Sequence, residues 1–398
     1  MDEFHVIATD EEFADAVGRL AAGRGPIAVD AERASGFRYS QRAYLIQMYR
    51  RDSGTFLFDP PAISDFSPLE DAISADEWVL HAASQDLACL REVGLDPSRI
   101  FDTELAARLL GMPRVGLAAV VEELLGIKLA KEHSAADWST RPLPQPWLKY
   151  AALDVELLVD VRDGLAERLG DSGKADLAEQ EFDAVLHREA KPAAAEPWRR
   201  LSGIHALRSG RNLAVARALW QARDARAVEL DTAPGRLVPD ASIIAAARTL
   251  PGTRRALADL REFTGRASRS ELDRWWAAVE AGLADADLPA TRVPSDAPPP
   301  PRAWAARQPE ADARLKLAKQ GVADVAERLG MPVENLLSPD SLRRVAWKPP
   351  ADTSERGIRE ALADLGVRAW QLDATAQIIA DAFVAASQTV EDATATDS

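Results

Sequence analysis

Three short apolar segments follow one another within residues 26–60, and they constrain the fold more than any other feature. The segments PIAVDAE, YLIQMYRR and TFLFDP are rich in β-branched and aromatic residues, and turn-forming residues separate them. They predict three successive strands. A fourth such segment, WVLHA, precedes the helical pattern SQDLACLREVG. Three neighbouring strands followed by a strand between helices predict an α/β domain, in which helices cover a mixed sheet.

Two proline-containing breaks divide the chain, EAKPAAAEP (189–197) and DLPATRVPSDAPPPPR (287–302). Beyond the first break, segments such as LAVARALWQARDARAVEL carry apolar residues at helical spacing. Residues 235–251 and 334–350 each contain an apolar pair, a Pro-Asp, a short helical pattern and a proline, which suggests a duplicated helical module. The predicted divisions are an α/β domain (1–190), a helical domain (198–283), a proline-rich linker (284–303), a second helical domain (304–387) and a polar tail (388–398).

The composition excludes several classes of protein. Cys89, the single cysteine, lies in an apolar helical run, so a buried thiol and no internal disulfide are expected. One cysteine and five scattered histidines do not form a zinc cluster at the usual spacing. The sequence has no apolar run of membrane-spanning length. Its acidic N-terminus lacks the basic-then-apolar order of a signal peptide, which predicts a cytoplasmic protein.

The net charge of −15 is unevenly distributed. Residues 1–190 contain 19 basic and 35 acidic residues, a balance of −16. Residues 198–283 contain 15 basic residues, all arginine, and 9 acidic residues, a balance of +6. A basic module on an acidic chain is typical of a nucleic-acid tether, but a solvated helical surface accounts for the charge equally well.

Asp30 and Glu32 belong to the first predicted strand. Side chains at i and i+2 point to the same face of a strand, so these two carboxylates lie side by side. Like charges at that separation repel unless a cation compensates them. Oxygen ligands suit Mg²⁺ or Mn²⁺. The alternative is that one of the two acids is a solvated residue at the end of the strand.

A third and a fourth carboxylate come from later segments. Asp86 begins a predicted helix, where the helix dipole alone would favour an acid. His81 ends the preceding strand, and a hydrogen bond to the backbone is favoured over metal ligation there. Tyr150 and Asp154 stand at i and i+4 and so share one helix face. Asp154 would complete a carboxylate cage, and Tyr150 would contact the water that the cage holds.

Together these motifs, in this order and spacing, resemble the DEDDy 3′–5′ exonucleases, and most closely the ribonuclease D group. The segments HAASQDL and AKEHSAADWSTRPLPQ (130–145) are similar to further blocks of that family. Residues 198–283 resemble the helicase-and-RNase-D C-terminal (HRDC) domain, and residues 304–387 a more divergent second copy. The resemblance implies a ribonuclease H-like exonuclease fold followed by two all-α HRDC-type domains.

The same resemblance implies the roles of individual residues. Asp30, Glu32, Asp86 and Asp154 would hold two divalent metal ions, Mg or Mn, and Tyr150 would orient the attacking water. Ala31, His81 and Gln85 would contact the substrate. The family more often has Thr at the position of Ala31, so one substrate contact is expected to differ.

The function implied is a metal-dependent 3′–5′ exoribonuclease. It would trim RNA 3′ ends, with tRNA precursors the expected substrate, and release nucleoside 5′-monophosphates. The protein is expected to be a monomer. Two alternatives stay open: a DNA exonuclease of the proofreading or Werner type, and a non-catalytic RNA-binding adaptor.

Other residues offer two interpretations each. Arg141 could grip a phosphate or cap a helix, whereas Trp138 and Trp220 are expected in the core. Of Trp275 and Trp276, one is expected to face outward more than the other.

Overall fold

The computed structural model describes residues 4–129, 135–189, 192, 194–263, 265–292 and 296–396, with side chains as far as residue 388. One sheet contains strands β1 (Arg24–Arg33), β2 (Ala43–Arg51), β3 (Gly54–Phe58), β4 (Glu77–Leu80) and β5 (Arg99–Asp102). Its order is β3-β2-β1-β4-β5. The β1/β2 and β2/β3 pairs are antiparallel, and the β1/β4 and β4/β5 pairs are parallel. The mixed sheet predicted from the sequence is confirmed.

Strand β5 could not be predicted from its own residues. Only Ile100 and Phe101 of its four residues are apolar, which is too few to give an alternating pattern. It is placed by its parallel pairing with β4, a contact between segments about twenty residues apart that no local signal encodes.

Helices cover the sheet and connect its strands: α1 (Asp10–Ala21), α2 (Ser67–Ile73), α3 (Leu87–Glu92), α4 (Thr103–Leu109), α5 (Leu117–Leu125), α6 (Gln145–Glu156), α7 (Leu158–Asp171) and α8 (Ala175–Leu186). The sequence pattern from Gln145 to about Leu169 reads as one run, but the structure divides it at Leu157 into α6 and α7. Helix α1 begins with a capping box in which Thr9 and Glu12 exchange hydrogen bonds, a signal that the sequence does carry.

Two helical units follow. The middle unit contains α9 (Gly210–Leu230), α10 (Pro234–Leu237), α11 (Asp240–Thr249), α12 (Arg254–Ala258), α13 (Arg266–Ser270) and α14 (Leu272–Ala284). The C-terminal unit contains α15 (Trp304–Arg307), α16 (Pro309–Leu329), α17 (Val333–Leu336), α18 (Pro339–Trp347), α19 (Glu355–Ala363) and α20 (Ala369–Thr396). Residues 388–396, predicted as part of a polar tail, therefore continue a helix.

The two units repeat one arrangement of helices. Helices α9 and α16 are each 21 residues long. In the middle unit, α10 and α11 begin 24 and 30 residues after α9 begins (234 − 210 and 240 − 210). In the C-terminal unit, α17 and α18 begin 24 and 30 residues after α16 (333 − 309 and 339 − 309). The faint similarity between residues 235–251 and 334–350 thus corresponds to a repeated structure.

The two units differ in how their cores relate to the α/β domain. The middle unit has its own core, with Trp275 buried and Trp276 and Trp220 partly exposed around it. The core of the C-terminal unit is continuous with that of the α/β domain, so that Trp304 and Phe383 belong to the same apolar cluster as Phe101. Removing the C-terminal unit would therefore expose apolar surface of the α/β domain.

A buried carboxylate fastens the C-terminal unit to the α/β domain. Glu181 of α8 is 5% exposed and accepts hydrogen bonds from Arg368 Nε at 2.5 Å and from Trp370 Nε1 at 2.9 Å. Lys174 Nζ adds a bridge, donating to the carbonyl of Leu109 at 2.6 Å and to that of Gly330 at 3.3 Å. Such groups are costly to leave unpaired once they are buried.

We expect Glu181→Ala to lower the free energy of unfolding by about 2–3 kcal/mol, because it leaves the Arg368 guanidinium and the Trp370 N–H without their acceptor. Urea unfolding followed by circular dichroism measures this change. The control is Arg356→Ala, which removes an exposed pair with Glu360, and a loss below about 0.5 kcal/mol is expected for it. Equal losses for both variants would contradict the role assigned to Glu181.

Candidate active site

Three carboxylates meet where β1 passes beneath α6. Asp30 and Glu32 lie two residues apart on β1, and Asp154 lies on α6, which packs against β1. One oxygen from each lies within 4.8 Å of the other two, an arrangement that could hold a metal ion. Tyr150, one turn before Asp154 on the same helix face, hydrogen-bonds to the Asp154 carboxylate. The helix face that Tyr150 and Asp154 share thus contacts the acids, and packing alone does not explain it.

Asp86 lines the same cleft but lies slightly apart from that trio. It immediately precedes α3, and its side chain caps none of the backbone N–H groups of that helix. Its Oδ1 lies instead 3.4 Å from Nη2 of Arg33, the last residue of β1. Helix capping therefore does not account for an acid at this position, and Arg33 enters the site as a residue that the sequence patterns did not single out.

Asp102 shapes the loop that presents His81, Gln85 and Asp86. One of its oxygens accepts from the N–H of Ala82 at 3.0 Å, and the other accepts from the N–H of Ala83 at 2.9 Å. Ala82 has φ 62°, a left-handed conformation that costs free energy for a residue with a Cβ. The two hydrogen bonds offset that cost. Asp102 also caps α4, so one buried carboxylate fixes both the loop and the helix after it.

His81 extends from this loop into the cleft. Its Nδ1 lies 2.9 Å from Oγ1 of Thr103, so its partner is a hydroxyl rather than the backbone group expected from the sequence. Burial lowers the pKa of His81 to about 4, which leaves the ring neutral at physiological pH.

Burial and mutual repulsion disfavour the charged forms of the four acids. Burial, then the charges of Asp30, Asp154 and Asp86, raise the pKa of Glu32 to about 10. Burial and Asp30 raise the pKa of Asp86 to about 8 and that of Asp154 to about 7. Burial also raises the pKa of Asp30. Four acids that resist ionisation together form a donor set of hard oxygens that a divalent cation would satisfy, so these residues fit the metal that the motif implies.

Gln47 on β2 is a supporting residue that the sequence analysis missed. It lies opposite Asp30 in the β1/β2 register, is fully buried, and donates from Nε2 to Asp30 Oδ2 at 3.3 Å. A polar residue at an inward position of the apolar segment YLIQMYRR is the signal that could have identified it, because a buried amide needs a partner.

The cleft has a volume of about 400 Å³. Ala31, His81 and Gln85 line it beside the four acids and Tyr150, but their contact with a substrate stays a prediction. Apolar residues also line the cleft: Leu117, Ala118, Leu129 and Leu158. All the site residues predicted from the sequence therefore border one cleft.

Arg141 and Trp138 are structural. Arg141 donates from Nε and Nη2 to both oxygens of Asp59, at 2.9 and 2.7 Å, and its other N–H groups donate to the carbonyls of Trp138, Thr140 and Tyr44. Five donors are thereby satisfied, so the phosphate-gripping interpretation is wrong. Trp138 is fully buried, as expected.

The fold and this cleft define a 3′–5′ exonuclease followed by helical modules. A family model described as 3′–5′ exonuclease matches residues 4–170, one for the HRDC domain matches residues 212–279, and one described as 3′ to 5′ exonuclease C-terminal domain matches residues 297–383. Ribonuclease D of Escherichia coli is 31% identical over 87% of this chain and 91% of its own length. The chain belongs to the ribonuclease D family of 3′–5′ exoribonucleases.

Solved structures agree. The crystal structure of a protein from Bifidobacterium adolescentis has 37% identity and a TM-score of 0.88, with 96% of this chain and 97% of that chain covered. The crystal structure of Escherichia coli RNase D has 29% identity and a TM-score of 0.66, with 92% and 98% covered. An HRDC domain is therefore present in the middle unit, whereas the C-terminal unit matches a differently described family.

The raised pKa values predict how metal-free stability depends on pH. Folding favours the protonated acids, so their contribution is fully present below the ordinary carboxyl range and is lost as pH rises through about 7 for Asp154 and about 8 for Asp86. With EDTA at about pH 8, we expect Asp154→Asn to unfold with a free energy about 1–3 kcal/mol higher than the wild type, and the difference should vanish near pH 5.

Urea unfolding at the two pH values measures this difference, and added Mg²⁺ should stabilise the wild type far more than the variant. Asp71→Asn, an exposed acid on α2, is the control and should show neither effect. A variant with the same stability as the wild type at about pH 8 would contradict the electrostatic account.

Proposed function

We propose that this protein removes nucleotides one at a time from the 3′ ends of structured RNAs, with tRNA precursors among its substrates. The observation that carries the proposal is the convergence of Asp30, Glu32 and Asp154 within 4.8 Å of one another, in a cleft that Asp86 also lines. The similar Escherichia coli RNase D is described as an exoribonuclease involved in structured RNA processing. A cytoplasmic location and a monomeric state stay predictions.

Asp30, Glu32, Asp86 and Asp154 would hold two divalent ions, Mg or Mn. When bound, such ions lower the pKa of water and stabilise the charge on a leaving oxygen. The chain contributes the fixed positions of the four acids: β1 fixes two, α6 fixes one, and the Asp102-supported loop fixes the last. The products would be nucleoside 5′-monophosphates.

Tyr150 would orient the attacking water. Burial, then the charges of Asp154 and Glu32, raise the pKa of its phenol above the ordinary value, so the hydroxyl stays protonated. A protonated phenol held by Asp154 can position a water by hydrogen bonding, whereas removing the proton of that water is a task it is poorly suited to.

The middle unit would supply attraction for the RNA backbone. Most of its arginines pair with acids or carbonyls, for example Arg217 with Asp285 at 2.8 Å and Arg223 with Asp240 at 2.7 Å. Six exposed arginines have no hydrogen-bond or ion-pair partner among the described residues: Arg200, Arg208, Arg248, Arg261, Arg266 and Arg269. These are the positive charges left to contact phosphates.

We extend the proposal to the domains. Residues 1–190 would form the catalytic domain, residues 198–283 an HRDC domain, and residues 304–387 a second HRDC-like copy joined through the linker 284–303. The equal helix spacings in the two helical units support the second copy.

Among the alternatives, the adaptor predicts the loss of a ligand residue, and all four acids and Tyr150 are present in the cleft. The DNA exonuclease alternative needs a direct comparison. A 5′-labelled RNA and a DNA of the same sequence are each incubated with Mg²⁺. We expect the RNA to give a ladder that shortens from the 3′ end before the DNA does. Equal or faster degradation of the DNA would favour the alternative.

We expect Asp154→Ala to reduce RNA hydrolysis at least about 100-fold, because it removes a metal ligand. Tyr150→Phe should reduce kcat about 10- to 100-fold, because only the water-orienting hydroxyl is lost. The matched control is Tyr49→Phe, a half-buried phenol of β2 outside the cleft, which should leave the rate unchanged. Full activity of Asp154→Ala, or of wild type in EDTA, would overturn the metal-dependent mechanism.

Deleting residues 198–398 would not test whether the middle unit binds RNA, because the C-terminal unit shares its core with the α/β domain. We therefore expect the triple change Arg261→Gln, Arg266→Gln, Arg269→Gln to weaken binding of long RNA and to reduce its salt slope by up to about 2, while hydrolysis of a dinucleotide stays unchanged.

The control for this triple change is Arg343→Gln, Arg344→Gln, Arg356→Gln in the C-terminal unit, where the guanidinium groups pair with Asp340 and Glu360. Fluorescence anisotropy at several salt concentrations measures both variants. Equal slopes for the two would refute the idea that unpaired arginines of the middle unit form the tether.

A further inference from the structure

We propose that Arg33 is a phosphate-contacting residue that Asp86 holds in place until divalent ions enter the cleft. The inference rests on the proposed exonuclease function and adds to it a residue outside the DEDDy motif. It follows from the contact between Arg33 and Asp86, the charges lining the cleft and a second, smaller cavity beside it.

Arg33 ends β1 beside an irregularity in the pairing of β1 with β2. Side chains alternate along a strand, so Arg33 should point away from the face that carries Asp30 and Glu32. The β1/β2 register shifts between Glu32 and Arg33, with Glu32 opposite Leu45 and Arg33 opposite Ala43. The extra residue, Tyr44, belongs to β2. The Arg33 guanidinium nevertheless reaches Asp86 on the loop after β4.

Arg33 is the one lysine or arginine among the described residues that line the cleft. Its Nη2 lies 3.4 Å from Asp86 Oδ1, and its side chain is 27% exposed against 7% for Asp86. Among the described residues the guanidinium has no hydrogen-bond partner and no second ion pair. The Arg33 guanidinium thus makes one long contact among the described residues. In Arg141, by contrast, all five N–H donors are used.

The position of Arg33 suits a phosphate. It borders both the acidic cleft and a neighbouring cavity of about 210 Å³ that Ser35, Phe37 and Ala136 also line. Phe37 offers an aromatic ring there, and Arg236 of the middle unit lies 4.0 Å from the centre of that ring. A strand whose terminal phosphodiester lies at the acids would carry its preceding nucleotide into this cavity and pass its phosphate by Arg33.

The contact with Asp86 makes Arg33 compete with metal. Without metal, the guanidinium compensates part of the negative charge of the cleft. A divalent ion on Asp86 would take over that compensation and repel the guanidinium, which would then be free to bind an RNA phosphate. The alternative is a static ion pair that only braces the end of β1 against the loop.

Calorimetric titration with Mn²⁺, in the absence of RNA, separates the two. Arg33→Gln should bind Mn²⁺ more tightly than the wild type, on the order of tenfold, because the competing charge is gone. Arg33→Lys, which keeps the charge, should bind Mn²⁺ like the wild type. The matched control is Arg24→Gln, at the exposed start of the same strand in a pair with Asp52, and its Mn²⁺ affinity should be unchanged.

Steady-state kinetics on single-stranded RNA at several salt concentrations complete the test. In Arg33→Gln, kcat/KM should fall and its salt slope should decrease by about 0.7, the loss of one phosphate contact, whereas Arg33→Lys should keep most of the slope. Mn²⁺ binding that is unchanged or weaker in Arg33→Gln, or an unchanged salt slope, would overturn the proposal in favour of the static ion pair. If wild type degrades no RNA with Mn²⁺, the exonuclease proposal itself fails, and the calorimetry still decides whether Arg33 competes with metal.

Discussion

The repulsion among four carboxylates, one buried and three half-buried, is the constraint around which the α/β domain is organised. Asp30 and Glu32 are forced together by the two-residue period of β1, and α6 brings Asp154 to them. Burial raises the pKa values of all four acids, and neighbouring carboxylates add to the rise for Glu32, Asp86 and Asp154, so the charged forms are disfavoured. A site with this cost persists only when the surrounding structure fixes it, and cation binding would add to its stability.

Neighbouring polar residues fix the positions of these acids and of the elements that carry them. Gln47 donates to Asp30 from the neighbouring strand. Asp102 holds the strained turn at Ala82 and thereby the position of Asp86. Arg141 ties the segment before α6 to Asp59 and to the carbonyl of Tyr44, so the helix that carries Tyr150 and Asp154 begins at a fixed place. Together these contacts restrict the positions of the acids, which is what a preorganised site requires.

Much of this could be predicted from the sequence, and the rest could not, for physical reasons. The strand β1, its acid pair and the i,i+4 pair on α6 follow from short-range periodicity. Strand β5 and the support from Asp102 depend on pairing between distant segments. Arg33 was missed because strand alternation predicts that it points to the other face, whereas its guanidinium contacts Asp86 on the loop after β4. The shared core of the C-terminal unit and the α/β domain was hidden behind a proline-rich linker that suggested independence.

The middle unit is joined to the catalytic strand through the loop that follows it. Asp231, in the left-handed conformation at the end of α9, accepts from the N–H of Ser40 at 2.8 Å and from the hydroxyl of Tyr44 at 3.2 Å. Arg236 donates to the carbonyl of Gly36 at 2.8 Å. This loop runs directly from the end of β1, where Glu32 and Arg33 lie, to β2. RNA bound by the arginines of the middle unit would therefore be bound by a unit that also contacts the loop next to Glu32 and Arg33. A basic module on an acidic chain would thus have two roles. It would attract the RNA, and through Asp231 and Arg236 it contacts the loop beside the strand at which we propose that RNA is cut.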